Sequence, residues 1–206
     1  MKKIGVLISG GGTNLQAIID AIDNGIIDGK IELIISSKKD AYGLERGKKA
    51  GIESLFIDPS GLDHVEYSQR LEEKFRRKDL DLIVLAGFLK ILSKDFVEEF
   101  GNRIINIHPS LIPSFCGMKF YGDRIHKAVL DSGVKYSGAT VHFVNEKADE
   151  GPIILQEVVE VDFDDSLESL KDKVLKVEHK LLVEAIKLFC EDKLRIIGNK
   201  VKIEEV

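Results

Sequence analysis

Short apolar runs and helix-like patterns alternate along the first half of the chain, and this alternation restricts the possible folds more than any other feature. Runs typical of strands cover residues 4–9, 31–36, 54–59, 81–87 and 103–107. Between them, residues 15–22, 42–50, 67–78 and 93–100 have the spacing or charge typical of helices. Strands joined through helices form right-handed βαβ units, so we predict a doubly wound, mostly parallel twisted sheet with a Rossmann-like N-terminal half.

The second half of the chain has a different pattern. A helix is predicted over residues 125–133, and an antiparallel strand pair over 137–144 and 152–161. Asp165 and Ser166 are predicted to cap a long helix that ends near Cys190. Gly198 and Asn199 predict a final hairpin. No repeat or linker divides the 206 residues, so we predict a single α/β domain over residues 1–206.

Charge and composition exclude several classes of protein. The net charge is −5 with acidic and basic residues interspersed, which argues against a nucleic-acid-binding face. The two cysteines, Cys116 and Cys190, have no CxxC partner and are expected to be free thiols. The first apolar run is too short for a signal peptide, and no run approaches the ~18 apolar residues of a membrane span. We therefore expect a soluble, cytoplasmic protein that binds neither nucleic acid nor membranes.

A glycine-rich loop, SGGGTN at residues 9–14, joins the first predicted strand to the first predicted helix. Doubly wound folds bind phosphate at this position. The GxGxxG and Walker patterns both fail here, so neither a dinucleotide nor a nucleoside triphosphate is indicated. Glycines let backbone N–H groups approach an anion, and Thr13 and Asn14 add side-chain donors. The loop favours a single phosphate ester; the alternative is a tight turn in which Asn14 caps the helix.

The segment NIHPSLIPSF, residues 106–115, follows the last predicted parallel strand. Asn106 and His108 are two residues apart in an extended segment, so their side chains are expected on one side, at the sheet edge where ligands bind. An amide donor beside an imidazole suits a reaction that passes through an oxyanion. The alternative is a structural, hydrogen-bonded histidine. No metal is expected, because His108 has no metal-binding spacing with His126, His142 and His179.

Other side chains near this segment are weaker candidates. Ser110, Ser114 and Cys116 are poor nucleophile candidates, because no GxSxG pattern surrounds them. An imidazolium also needs a carboxylate partner. The loop NEKADEGP offers Asp149 and Glu150, and spacing alone does not choose between them.

These segments together resemble the glycinamide ribonucleotide formyltransferase family of purine biosynthesis, from Lys3 to about Phe189. The resemblance is carried by VLISGGGTNLQAIIDA, AYGLERGKKAGI, LIVLAGFLKILS, IINIHPSLIPSF, GATVHFVNEKADEGPIILQ and EHKLLVEAI. It implies the formyltransferase fold and transfer of a formyl group from 10-formyltetrahydrofolate to the amine of 5'-phosphoribosylglycinamide. Those two small molecules are the implied substrates, with no metal and with a monomer or a homodimer as the assembly.

The resemblance also implies roles for individual residues. The implied catalytic trio is Asn106, His108 and Asp149. The resemblance therefore favours Asp149 over Glu150 as the carboxylate partner. Ribonucleotide contacts are implied for Gly12, Thr13, Asn14, Leu175 and Glu178. Folate contacts are implied for Leu89, Lys90, Ile91, Leu92, Asn106, Asn145, Glu146, Lys147, Ala148 and Asp149. Residues 1–100 are then the phosphate-binding half and residues 101–206 the catalytic and folate-binding half. Asp149 is expected to raise the pKa of His108.

The sequence departs from the family pattern in three places. Gly11 stands where the family often has Asn, and His64 and Val65 stand where an Arg associated with the folate is expected. The segment 114–130 is longer than usual, which is expected to bring Tyr121 and Arg124 to the mouth of the site. Charge and length argue against a methionyl-tRNA formyltransferase. A formyltetrahydrofolate hydrolase and a non-catalytic folate- or sugar-phosphate-binding module are the alternatives.

Overall fold

In the computed structural model, which describes residues 1–118 and 120–204, strands and helices alternate from the first strand to the fifth. The strands are β1 Lys2–Ile8, β2 Gly29–Ser36, β3 Ser54–Phe56, β4 Leu82–Leu85, β5 Ile104–His108, β6 Tyr136–Phe143, β7 Ile153–Glu160, β8 Leu194–Ile197 and β9 Lys200–Ile203. The helices are α1 Thr13–Asp23, α2 Tyr42–Lys49, α3 His64–Arg76, α4 Lys94–Glu99, α5 Asp123–Ser132 and α6 Leu167–Cys190.

All strands of the described residues join one sheet in the order β3-β2-β1-β4-β5-β6-β7-β9-β8. Pairing is parallel from β3 to β5 and antiparallel from β5 through β6 to β7. The predicted fold class is therefore confirmed: a doubly wound, mostly parallel half continues into an antiparallel C-terminal part. The final hairpin is confirmed as well, since β8 and β9 pair across Gly198 and Asn199.

Alternation of side chains along the strands gives the sheet two apolar faces. On one face, Val6 packs in a cluster with Leu15 of α1, Val129 of α5 and Leu182 of α6. On the other face, Leu7 packs in a cluster with Phe75 of α3 and Phe96 of α4. Helices on both faces leave the carboxyl ends of β1, β4 and β5 at a common edge, where polar loops emerge. No helix within the described residues has the length and apolar character that a bilayer span requires.

Two details of the helix starts differ from the sequence prediction. Helix α3 begins at His64 rather than at residue 67, because Asp63 and Glu66 form a capping box: Asp63 Oδ1 accepts from the Glu66 N–H at 2.9 Å. Helix α1 is preceded by Gly12 in a left-handed conformation, with φ of 70° and no side-chain cap. The alternative in which Asn14 caps this helix is therefore wrong, since Asn14 lies inside the first turn.

Candidate active site

The three side chains predicted to be catalytic lie together, with Asn106 and His108 both next to the carboxylate of Asp149. Asn106 and His108 lie on β5, and Asp149 comes from the loop between β6 and β7. Asn106 Nδ2 lies 3.4 Å from Asp149 Oδ1, and His108 Nδ1 lies 3.6 Å from Asp149 Oδ2. The extended backbone therefore turns the amide and the imidazole to the same side, and the loop supplies an acid to both.

Asp149 is held in place by its backbone and by a neighbouring loop. Its φ of 58° lies in the left-handed region, which non-glycine residues rarely occupy outside sites where surrounding contacts enforce it. The Gly117 N–H donates to Asp149 Oδ2 at 2.9 Å. Burial raises the pKa of Asp149, but His142, His108 and the Gly117 N–H together hold the pKa below its usual value. The carboxylate is therefore charged at neutral pH.

His108 is buried, and its two ring nitrogens have different neighbours. Nε2 lies 3.0 Å from the Phe115 carbonyl oxygen, which only accepts, so Nε2 carries a proton. Burial lowers the pKa of His108, and this effect outweighs the opposing effects of Asp149 and of the Phe115 carbonyl. The expected effect of Asp149 is therefore confirmed, since Asp149 raises the pKa of His108, but the cost of burying an imidazolium is larger and the net shift is downward.

His142 belongs to the same cluster, although the sequence predicts no role for it. It lies opposite Asn106 in the antiparallel β5–β6 pair. Its Nδ1 donates to the Phe143 carbonyl oxygen at 2.9 Å, and its Nε2 lies 3.1 Å from Asn106 Nδ2 and 3.7 Å from Asp149 Oδ1. His142 could have been predicted only from the register of the strand 137–144 against β5. The sequence alone does not determine that register.

The residues predicted to contact the ribonucleotide lie around the glycine loop and α6. Asn14 Nδ2 donates to Glu178 Oε2 at 2.8 Å, so the two predicted contacts from opposite ends of the chain are direct neighbours. Burial raises the pKa of Glu178 to about 7, and only the Asn14 amide opposes this effect. Thr13 is the first residue of α1, and Leu175 lies half-buried on α6, one turn before Glu178.

The first predicted folate segment follows β4. Leu89 and Ile91 expose about half of their surface, 48% and 53%, whereas Leu92 packs against the core beside α3 and α4. Lys90 is exposed between them. The Leu89 N–H donates to Ser9 Oγ at 2.9 Å, which attaches this segment to the end of β1, next to the glycine loop.

The second predicted folate segment, residues 145–149, is the loop that carries Asp149. Asn145 organises it: its Oδ1 accepts from the Lys147 N–H at 3.0 Å. Glu146 reaches Lys94 Nζ at 3.3 Å, just after the first folate segment, and Ala148 precedes Asp149. The second segment therefore connects the Asn106, His108 and Asp149 cluster with the helix that follows the first segment.

The longer segment 114–130 lies beside the cluster. Its Gly117 N–H and Phe115 carbonyl are the groups that contact Asp149 and His108. Arg124 stacks its guanidinium 4.6 Å from the centre of the Tyr121 ring, and Tyr121 is 45% exposed. Lys119, in the same segment, lies outside the described residues.

The fold and the cluster define the class of protein. It is a doubly wound α/β protein with a partly buried amide–imidazole–carboxylate site at the carboxyl end of a central strand. Comparison with known proteins specifies the family. The formyl transferase profile matches residues 2–186, and the chain belongs to this family.

Individual relatives agree with the family. The chain is 42% identical over 200 residues to the phosphoribosylglycinamide formyltransferase of Haemophilus influenzae, covering 97% of this chain and 92% of that one. It is similar to the crystal structure of glycinamide ribonucleotide transformylase 1 from Symbiobacterium toebii, with a TM-score of 0.94, 44% identity and coverage of 100% and 95%. A formyltetrahydrofolate deformylase from Pseudomonas syringae is more distant: the TM-score is 0.90 at 26% identity, over 99% of this chain and 66% of that one.

Proposed function

We propose that the protein transfers the formyl group of 10-formyltetrahydrofolate to the amine of 5'-phosphoribosylglycinamide, giving the N-formyl product and tetrahydrofolate. The observation that carries the proposal is the meeting of Asn106, His108 and Asp149 at the same sheet edge as a glycine loop suited to one phosphate group. The 42% identity over almost the whole length of a phosphoribosylglycinamide formyltransferase supports the same substrates.

The reaction begins when the glycinamide amine attacks the formyl carbon. A C–N bond forms, and the formyl oxygen becomes an oxyanion, which Asn106 and His108 stabilise. Collapse of this intermediate breaks the bond between the formyl carbon and N10 of the folate. The proton lost by the amine reaches N10 through His108 or a water molecule. These steps require no metal and no covalent enzyme intermediate.

The electrostatics of the site suit this sequence of events. Burial lowers the pKa of His108, so the free site holds a neutral imidazole next to a charged Asp149. A developing oxyanion adds negative charge beside the imidazole and favours its protonated form. His108 therefore takes up a proton when the intermediate forms and releases it when the folate leaves, which is the behaviour that a proton shuttle requires.

Substrate contacts follow from the loops around the cluster. In this proposal the ribonucleotide phosphate binds the N–H groups of Gly12 and Thr13, and Asn14 and Glu178 contact the sugar and the glycinamide. The folate pterin binds between the two folate segments, 89–92 and 145–149. The half-exposed side chains of Leu89 and Ile91 offer apolar surface for a flat ring.

The first experiment follows release of deformylated folate by absorbance with and without the ribonucleotide. We expect turnover that depends on 5'-phosphoribosylglycinamide and falls by about 10²–10³ in Asn106→Ala, the typical cost of one oxyanion donor. Equal deformylation without the ribonucleotide would instead identify water as the acceptor, the activity in the name of the Pseudomonas syringae relative. No deformylation in either reaction would leave a binding protein and contradict the proposal.

A further inference from the structure

Helix α2 supports the glycine loop from behind through two hydrogen bonds and one close contact. The Gly43 N–H donates to the Gly10 carbonyl oxygen at 3.1 Å, and Arg46 Nε donates to the Gly11 carbonyl oxygen at 2.9 Å. A Cβ atom on Gly12 would lie 2.6 Å from Gly43 Cα, so the loop and the helix touch backbone to backbone. The carbonyl oxygens of two consecutive loop residues are therefore tied to α2.

Tying these carbonyls fixes the direction of the N–H groups that follow them. Both peptide bonds are trans, and the C=O and N–H of a trans peptide point in opposite directions. The N–H groups of Gly11 and Gly12 are therefore directed away from α2, and no backbone carbonyl of the described residues accepts from them. Together with the free N–H groups of the first turn of α1, they form a concave set of donors suited to a phosphate group.

Arg46 also brings a positive charge to this loop. Its second hydrogen bond runs from Nη1 to Gln16 Oε1 at 3.0 Å, and its guanidinium lies 5.0 Å from the centre of the Tyr42 ring. The groups that hold the guanidinium, a carbonyl, an amide and an aromatic ring, are all neutral. The charge therefore remains available to attract an anion to the outer side of the loop.

We propose that Arg46 is a positioning residue for the phosphate of the substrate: it orients the peptide between Gly11 and Gly12 and adds a positive charge behind it. The inference rests on the proposed function for the identity of the substrate, but not for the phosphate itself. Arg46 touches the loop and not the reacting atoms, so it acts on binding of the phosphorylated substrate and not on the chemical step.

Steady-state kinetics of Arg46→Gln test whether Arg46 acts on substrate binding and not on the chemical step. We expect the KM for 5'-phosphoribosylglycinamide to rise roughly tenfold, the effect of losing one charge-assisted hydrogen bond. The kcat and the KM for the folate are expected to stay unchanged. Arg46→Lys keeps the charge and one donor, so its KM is expected between the two. The matched control is Arg195→Gln, on exposed β8 at the opposite end of the sheet.

A binding measurement without catalysis separates this inference from the proposed function. Titration of the 15N-labelled protein with ribose 5-phosphate is expected to shift the amide resonances of Gly11 and Gly12, and to require more ligand in Arg46→Gln. If the wild-type amides shift and Arg46→Gln requires more ligand, but no formyl transfer occurs, the proposed function fails while the role of Arg46 stands. If transfer occurs and Arg46→Gln leaves both the KM and the amide titration unchanged, Arg46 does not position the phosphate.

Discussion

The Asn106 amide lies between His142 and Asp149, and both residues act on its orientation. The Phe143 carbonyl only accepts, so Nδ1 of His142 carries a proton. The Asp149 carboxylate only accepts, so the NH2 end of Asn106 is turned toward it: Nδ2 lies 3.4 Å from Asp149 Oδ1 and 3.1 Å from His142 Nε2. In the proposed reaction, an N–H of this amide turns to the formyl oxygen when the oxyanion forms.

Replacing His142 by Ala is expected to lower kcat by roughly tenfold, less than the loss of Asn106 itself, because the donor remains but its orientation is no longer fixed. The KM for each substrate is expected to change little. Steady-state kinetics measure both constants.

A double-mutant cycle with Asn106→Ala provides the control for this prediction. If His142 acts through the amide, its removal has little further effect once Asn106 is gone, so the two effects are not additive. Additive losses would show that His142 contributes by another route.

A second prediction concerns the pKa of His108. Burial lowers this pKa and Asp149 raises it, so removing the carboxylate charge in Asp149→Asn is expected to lower it further. The titration of the imidazole followed by NMR measures the shift directly. Glu150→Gln removes the charge of the exposed neighbouring residue and serves as the control, with little change expected. An unchanged or higher pKa in Asp149→Asn would contradict a direct interaction between the carboxylate and the imidazole.

At the residue scale, the sequence predicts some side chains and misses others for a physical reason. Asn106 and His108 share a strand, so the alternation of side chains along that strand is enough to place both on one side. His142 reaches them only through the register of the β5–β6 pair, and that register depends on packing across the whole sheet. The net pKa of His108 depends on burial, which a local pattern does not specify.

At the scale of helices and strands, the ends of elements depend on caps. Ser166 Oγ accepts from the Ser169 N–H at 3.1 Å and begins α6, as the sequence predicts. Ser166→Ala is expected to lower the free energy of unfolding by about 1 kcal/mol. Urea denaturation measures this loss. Asp172→Ala, on the exposed side of the same helix, is the control and is expected to leave stability unchanged. Equal losses in the two variants would show that the cap contributes nothing.

Apolar runs and caps predict most elements, but they misplace some boundaries. The run at residues 54–59 yields a strand only over Ser54–Phe56, since only these residues pair with β2. Helix α3 starts earlier than its apolar spacing suggests, because the capping box at Asp63 extends it. Pairing partners and side-chain caps, not periodicity, decide where an element ends.

At the scale of the whole molecule, the contact between Asn14 and Glu178 joins the first helix to the last. The two residues are 164 positions apart, and the sequence resemblance places both near the ribonucleotide without indicating that they touch. Both are buried where α1 packs against α6, and Asn14 Oδ1 has no hydrogen-bond partner within the described residues. A carboxyl group in such a setting favours its neutral form.

The ionisation of Glu178 is expected to make the stability of the protein depend on pH. Burial raises its pKa from 4.5 to about 7, so between these values the folded protein binds more protons than the unfolded chain. Stability contributed by this site therefore falls as pH rises from about 4.5 to 7, by up to about 3 kcal/mol in total. Glu178→Gln keeps an acceptor for Asn14 but carries no charge, so its stability relative to wild type is expected to be greater at pH 8 than at pH 5.

Urea denaturation of both proteins at the two pH values measures this difference. Glu184→Gln is the control, because Glu184 lies on the same helix with its carboxylate in solvent, and its effect is expected to be equal at both pH values. Other ionisable groups titrate in wild type and variant alike, so their contributions cancel in the comparison. If the difference between Glu178→Gln and wild type is the same at pH 5 and pH 8, Glu178 has an ordinary pKa. The contact between α1 and α6 then holds a charged carboxylate at both pH values, with the Asn14 amide sufficient to stabilise it.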